Sequence, residues 1–390
     1  MTATERASLS AKEILKSLVS FDTTSRNSNL ELIGWVENFL EERGIASTRI
    51  YDETGKKANL IATIGPAEVP GYVLSGHTDV VPVDGQDWSH DPFDLIERDG
   101  KLYGRGSCDM KGFLACCLAR VDAMRAGDLK KPFHLAFSYD EEVGCKGVPS
   151  LIEKMMETLP KPEACFVGEP TEMQVVLGHK SKRSLKAIVK GRPCHSSLAP
   201  EGVNAIDYAA RLILKIREIS ERLENGATDD LYDVPFSTGH TGTISGGTAL
   251  NIVPETCEFQ FEFRVLPSED ADALVDEVKR YAADVLEPEM KAKAPETGIK
   301  FEWISSFPGL DTSPEAPVTA LTKRLAGKND HSKVAYGTEG GRFQEMAAIP
   351  TVVIGPGSIA QAHRADEFVA ATELDKCEAF IDRLIGEAGR

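Results

Sequence analysis

Histidines and carboxylates recur in this chain just beyond short apolar runs, where their side chains could converge on metal ions. Ser75-Gly76-His77-Thr78-Asp79 ends one such run and presents His77 and Asp79 two residues apart. Side chains two apart on an extended strand share a face. A neutral imidazole is a good zinc ligand, and an Asp beside it can orient the ring. The pair alone serves equally well as a structural histidine. Gly104-Arg105-Gly106-Ser107-Cys108-Asp109-Met110-Lys111-Gly112 places Asp109 in a Gly-rich loop before an apolar helix. Asp is a common N-cap, but glycines also let backbone approach a buried carboxylate closely, and a carboxylate can bridge two ions. Asp140-Glu141-Glu142 follow another apolar run. Three adjacent acids there repel one another unless a cation or solvent relieves them. Glu169, in Gly168-Glu169-Pro170, and His363, in Gln361-Ala362-His363, stand likewise after apolar runs.

His77, Asp109, Glu142, Glu169 and His363 together make a set of oxygen and nitrogen donors without thiolates, which suits a catalytic rather than a closed structural zinc site. Five donors also suit two ions about 3.5 to 4 Å apart with room for a shared water. The carboxyl ends of strands in an open α/β sheet are where ligands bind, so the positioning elements must be buried strands.

The sequence supplies them. Helices are expected over 10–19, 30–43 and 110–125, and strands over 59–64, 72–75, 134–139 and 164–167, the alternation of an α/β layered domain. From about Ser181 the order becomes strand 185–190, helix 203–223, strand 241–245, strand 257–266, helix 270–286 and strand 299–304, the βαββαβ order of a ferredoxin-like unit. Leu212, Ile216, Ile219 and Leu223 form one apolar stripe on its first helix. Residues 291–297 read as a loop, and a further strand is expected over 351–354. The expected architecture is an α/β domain, 1–179 and 307–390, with a central mixed sheet, interrupted by a βαββαβ insertion over 180–306.

Length and composition agree. A chain of 390 residues exceeds one ordinary core. A formal charge of −17 disfavours nucleic acid, which needs clustered Lys and Arg. No apolar run approaches the roughly 20 residues that span a bilayer. The first residues lack the apolar core of a secretory signal, and the eight cysteines are dispersed without a CxxC pair. A cytoplasmic protein with reduced thiols is expected, with no nucleic-acid or membrane partner.

In order and spacing, His77-Thr78-Asp79, Gly104-Arg105-Gly106 to Asp109-Met110-Lys111-Gly112, Asp140-Glu141-Glu142 and Gly168-Glu169-Pro170 resemble the family of acetylornithine deacetylase, succinyl-diaminopimelate desuccinylase and carboxypeptidase G. The match covers nearly the whole chain. It implies a zinc-peptidase-like catalytic domain whose insertion is a lid and the contact of a homodimer, with hinges near Lys180 and Phe307. It also implies two zinc ions per subunit, replaceable by cobalt or manganese: His77 and Glu169 on one, Glu142 and His363 on the other, Asp109 bridging. Asp79 would orient His77, and Glu141 would act as general base toward a water shared by the ions. His195, in Cys194-His195-Ser196-Ser197, would reach the partner subunit's active site and stabilise the oxyanion, while Asn251 and Arg264 would contact substrate.

Segments 306–310, 337–343 and 355–363 look most like the acetylornithine deacetylase branch, which adds Thr338, Glu339, Gly341 and Arg342 as substrate contacts, with Glu339 suited to a cationic side chain. The implied reaction removes the acetyl group from N-acetyl-L-ornithine to give L-ornithine and acetate, a step of arginine biosynthesis. Alternatives are a succinyl-diaminopimelate desuccinylase, a broad N-acyl-amino-acid deacylase, or an inactive metal-retaining relative that binds ligands. A spare Glu141 beside Glu142 favours an enzyme.

Overall fold

A computed structural model describes residues 9–390. The chain divides into two compact units, one holding the described residues through Gly178 with Leu310–Lys333 and Thr338–Arg390, the other His179–Gly309 with Val334–Gly337. Before and into the second unit the chain forms β1 (Ser47–Tyr51), β2 (Ala58–Ile64), β3 (Tyr72–His77), β4 (Ile96–Arg98), β5 (Lys101–Tyr103), β6 (Phe133–Ser138), β7 (Ala164–Val167) and β8 (Val176–His179). The second unit contributes β9 (Ser181–Lys190), β10 (Thr238–Gly246), β11 (Thr256–Val265) and β12 (Gly298–Phe307). β13 (Leu310–Asp311), β14 (Ser332–Val334), β15 (Thr351–Val353) and β16 (Phe368–Ala370) follow.

The central sheet runs β1-β2-β6-β3-β7-β15-β8-β13, with β14 paired to β8. It is mixed, as expected: β3 is parallel to β6 and β7, whereas β1 and β2 are antiparallel to their neighbours. Every residue of β3, β6 and β7 is buried. Strands covered on both faces read as continuous apolar runs rather than alternating ones, which is why these segments stood out in the sequence. Helix Lys111–Ala119 is buried from Lys111 through Leu118, and helix Val148–Thr158 buries Val148, Leu151, Ile152 and Met155 along one stripe. Helix Ala11–Val19 starts at a capping box in which Ser10 and Glu13 each satisfy the other's backbone N–H.

Register brings the strand ends into line. His77 lies opposite Ser138 and Ser75 opposite Val167. Pairing continues past the strands, where the Thr78 N–H donates to Ser138 O at 2.8 Å and the Gly168 N–H to Ser75 O at 3.0 Å.

Three expectations need correction. The helix over 110–125 is two helices, Lys111–Ala119 and Val121–Ala126, broken at Arg120 (φ −99°, ψ 0°), whose guanidinium binds Glu378 and Asp382 on helix Ala371–Ala388. Helix Ala271–Tyr281 continues through a π-helical turn, Ala282–Leu286, into helix Glu287–Lys293, so the loop expected over 291–297 is shorter. Pro288 stands directly after the π-helical turn, at its junction with that last helix. A small antiparallel sheet, β16-β5-β4, was not foreseen; its strands have three residues each, too short for a periodic signal.

The second unit has the βαββαβ order, with the antiparallel sheet β10-β11-β9-β12. Leu212, Ile216, Ile219 and Leu223 are buried against it. The opposite face carries the ion pairs Lys182–Glu262, Lys186–Glu258 and Lys186–Glu302, so β9 and β11 alternate apolar and polar. Among the described residues no helix is long and apolar enough to cross a membrane.

A Cβ at Gly168 would lie 1.9 Å from Cγ of Phe113, a fully buried ring that cannot swing aside. Gly168→Ala is therefore expected to cost about 1–3 kcal/mol in urea unfolding, and an unchanged midpoint would contradict this packing. His134, fully buried on β6 with Nδ1 3.0 Å from Thr63 Oγ1, has its pKa pushed by burial from 6.5 down to about 4. A folded value below the unfolded one means stability is intact above about pH 6.5 and is lost as pH falls toward 4. Between pH 7 and 5 the wild type should lose about 2 kcal/mol more than His134→Gln; parallel pH curves for the two proteins would exclude His134 as the source.

Candidate metal centre

The loops leaving β3, β6 and β7 carry His77-Thr78-Asp79, Asp140-Glu141-Glu142 and Glu169, and two more segments bring Asp109 and His363 onto them. Asp109 Oδ1 lies 3.2 Å from His77 Nε2, and its Oδ2 lies 3.2 Å from His363 Nε2. One carboxylate thus faces two imidazoles with separate oxygens, the geometry of a bridge. Glu169 Oε1 stands 3.9 Å from His77 Nε2, and the Glu142 carboxylate 3.2 Å from His363 Nε2. Donor atoms of His77, Glu141 and Glu169 lie within 4.8 Å of one another, as do those of His77, Asp109 and Glu142. Asp109 is not the helix N-cap: Met110 holds that position, without a side-chain cap.

Asp79 works differently from the expectation. His77 Nδ1 is 2.9 Å from the backbone carbonyl of Asp79 and 3.6 Å from its carboxylate. A carbonyl only accepts, so Nδ1 carries a hydrogen; against the effect of burial, the hydrogen bond to Asp109 and the charges of Glu169 and Asp79 raise the His77 pKa, so Nε2 donates to Asp109 until a bound cation would take its lone pair instead. The Asp79 carboxylate accepts from the N–H groups of Glu141 and Glu142 at 3.0 and 3.3 Å and from Ser25 Oγ at 2.7 Å. Asp79 therefore orients His77 with its backbone and the two glutamates with its side chain. Glu141 Oε1 also accepts from the Cys145 thiol at 3.2 Å.

Electrostatics tests whether cations fit. Burial pushes Glu141 up to about 8, with Glu142 adding repulsion, and burial beside the Asp109 charge pushes Glu142 up to about 7. Burial and Asp109 likewise raise Glu169 well above the usual carboxylate range. Burial would raise Asp109 too, yet hydrogen bonds from His363 and His77 hold it low. Hydrogen bonds to Asp109 and Glu142 raise His363 to about 10. The protein alone thus compensates its own acids incompletely, with five carboxylates against two imidazoles. Divalent cations would relieve that excess. The converging donors are imidazole nitrogens and carboxylate oxygens, a set suited to zinc, cobalt or manganese, and they fit the implied ions.

Of the expected substrate contacts, Thr338 and Glu339 are fully buried and Gly341 lies in the first turn of helix Gly340–Ala347 beside Arg342, whose Nη1 lies 3.2 Å from Glu345. Glu339 accepts from Ser75 Oγ and Ser138 Oγ, each at 2.6 Å. With no exposed oxygen it offers nothing to a substrate cation, which corrects that expectation. His195, Asn251 and Arg264 belong to the second unit. There His195 is exposed with Nδ1 accepting the Ser197 N–H at 3.2 Å, Asn251 O accepts from Ser196 N–H at 2.9 Å, and Arg264 Nε binds Glu262 at 2.9 Å.

Sequence reasoning missed Ser75, Ser138, Gln86 and Glu367 around the cluster. Ser75 left a trace as a polar residue within the apolar part of β3, and Ser138 as the polar end of β6. Glu367 precedes the apolar run of β16, an acid at a strand's start where the others stood at strand ends.

The profile of peptidase family M20/M25/M40 matches residues 73–387. An acetylornithine deacetylase of Myxococcus xanthus is 32% identical over 376 residues, 95% of each chain. Among solved structures, an M20 family metallo-carboxypeptidase from Sulfolobus solfataricus superposes with a TM-score of 0.76 at 18% identity, covering 96% of this chain and 98% of that one. A dinuclear metal binding M20 peptidase from Bacillus subtilis superposes at 0.65 with 17% identity, covering 96% of both. With its fold, its converging His, Asp and Glu side chains and a relative matched along nearly its full length, the chain belongs to the M20/M25/M40 family of metallohydrolases.

Proposed function

We propose that this chain hydrolyses the amide of N-acetyl-L-ornithine, releasing acetate and L-ornithine, with two zinc ions held by His77, Glu169, Glu142, His363 and the bridging Asp109. The observation that carries the reading is Asp109 between two imidazoles, 3.2 Å from each, beside a pair of glutamates fixed by one Asp79 carboxylate. Bound there, the ions would polarise the scissile carbonyl and acidify an attacking water.

The protein's own groups supply the rest. Glu142 is turned to His363, while its neighbour Glu141 keeps its carboxylate beside His77 and Glu169. Adjacent glutamates thereby divide two tasks: Glu142 binds, and Glu141 takes the proton of the attacking water and returns it to the leaving amine. His195 suits an oxyanion donor. The Ser197 N–H donates to Nδ1, so the neutral ring carries its hydrogen on Nε2, ready to donate. In a homodimer formed through the insertion, that donor would serve the partner subunit's site. Arg264 and Asn251 would meet the α-carboxylate and the acyl group.

The choice of substrate rests on the M. xanthus deacetylase at 32% identity over 95% of the chain. Succinyl-diaminopimelate and neutral acetylated amino acids are the competing substrates. Steady-state release of primary amine from N-acetylornithine, N-succinyl-diaminopimelate and N-acetylmethionine should favour the first, vanish with chelator and return with zinc. A preference for another of the three would keep the chemistry and change the substrate, and no metal-dependent turnover would favour a non-catalytic relative.

Because Glu141 also lies within reach of His77 and Glu169, its role has a direct test. Glu141→Gln should lower kcat about 10²- to 10⁴-fold while zinc content per subunit stays at the wild-type value. Loss of a zinc ion in that variant would make Glu141 a ligand and remove it as the base.

A further inference from the structure

We propose that Glu367, Arg105 and Gln86 form a positioning relay that presets Asp109 and His363, so that both metal positions depend on residues that touch neither ion. The proposal rests on the ligand reading above and extends it outward.

Glu367 and Arg105 are each about 1% exposed and lie 2.6 Å apart, Nη1 to Oε2. The other oxygen of Glu367, Oε1, accepts the N–H groups of Cys108 and Asp109 at 3.0 and 3.1 Å. That carboxylate therefore pins the backbone of the bridging residue itself. It is in turn held in place, because Glu367 O accepts the Gly104 N–H at 2.9 Å and the next residue, Phe368, pairs with Tyr103 in the small sheet β16-β5-β4.

Arg105 extends the relay toward His363. Its guanidinium donates to Gln86 Oε1 and, at 3.3 Å, to Arg364 O. Gln86 Oε1 also accepts from Trp88 Nε1 at 3.0 Å, which fixes the amide so that Nε2 points the other way and donates to His363 O at 3.0 Å. Asp366 adds a further tie, accepting from Ser89 N and Oγ at 2.9 and 3.0 Å. His363 needs such support. Its φ of 62° is a left-handed conformation that a residue with a Cβ adopts at a cost, and its ring is half exposed rather than packed in place. The fold thus spends a buried ion pair on two segments, 254 residues apart in the chain, whose common feature is that each ends in a side chain of the cluster. Arg105 carries the fork that this geometry uses, with separate nitrogens for Glu367 and Gln86, so lysine could not replace it.

The test uses the full chain, stripped of metal and titrated with cobalt, read by visible d–d absorption and by calorimetry. Gln86→Ala, in a half-buried loop residue, should weaken one cobalt position about tenfold and leave the other unchanged. Removing the ion pair as a unit, Arg105→Met with Glu367→Met, avoids leaving a lone buried charge and should weaken both positions about 10- to 100-fold. Replacing Glu367 with Gln in the Arg105→Met background restores an acceptor for the Cys108 and Asp109 N–H groups and should recover most of the affinity. Folded variants that bind both cobalt ions with wild-type affinity and spectrum would overturn the relay. So would a lowered melting temperature of the metal-free protein with unaltered cobalt binding, the mark of a purely structural pair. Asp109→Asn is the control: if it leaves cobalt binding intact, the ligand reading falls and takes this proposal with it.

Discussion

Carboxylates packed at hydrogen-bonding distance in a protein interior repel one another and lose hydration, and both effects favour protonation unless positive charge is packed with them. The ends of β3, β6 and β7 gather Asp79, Asp109, Glu141, Glu142 and Glu169 against two imidazoles. Asp79 is relieved by two backbone N–H groups and a serine hydroxyl. The others share His77, His363 and whatever cation enters. Burial raises the pKa of Glu141, Glu142 and Glu169, and only Asp109, between both rings, is held low. The most central carboxylate is thus the one that stays ionised without help, as a bridge must.

That crowding dictates the surrounding architecture. Three parallel strands ending in line are needed to bring side chains from distant segments within a few ångströms, and parallel strands require helices on both faces. Helix Lys111–Ala119 lies under the cluster, and Phe113 fills the space that a side chain at Gly168 would need. The same loop that opens this helix delivers Asp109, so core packing and ligand placement are one feature. Asp79 joins neighbouring strands more firmly than the sheet alone, since its backbone orders the His77 ring and its side chain the two glutamates.

How legible this was from sequence depended on the length over which each signal is spread. β3, β6 and β7 are continuous apolar runs, and residues that follow such runs were visible as a set. Leu212 to Leu223 carried a helical period through much of the twenty-residue helix Ala205–Glu224, enough to fix the order of the insertion. By contrast, β4, β5 and β16 are three residues each, and the Glu367–Arg105 pair joins segments brought together only by that sheet. The break at Arg120 was equally hidden: no Pro or Gly marks it, and Glu378, which takes its guanidinium, lies 258 residues later. Glu339 shows a subtler limit. The resemblance made it a contact for a substrate cation, whereas serines of two strands, separated from it by 264 and 201 residues, claim both of its oxygens.

Glu339 and Glu367 also bear on the charge balance around the site. Neither is placed as a ligand, yet both are fully buried within the same unit as the cluster, one satisfied by hydroxyls and the other by an arginine and two amides. Burial pushes the Glu339 carboxyl above its ordinary range, and only the hydrogen bonds from Ser138 and Ser75, with the His77 charge, pull it back. Glu367 adds little net charge, because Arg105 neutralises it at 2.6 Å. The two buried acids are therefore not equivalent: Glu339 rests on hydroxyl donors, whereas Glu367, paired with Arg105, serves the geometry of the Asp109 loop. An unpaired acid at position 367 would add its own charge to the crowd around Asp109, whereas with Arg105 beside it the same carboxylate accepts two backbone N–H groups while its charge is balanced.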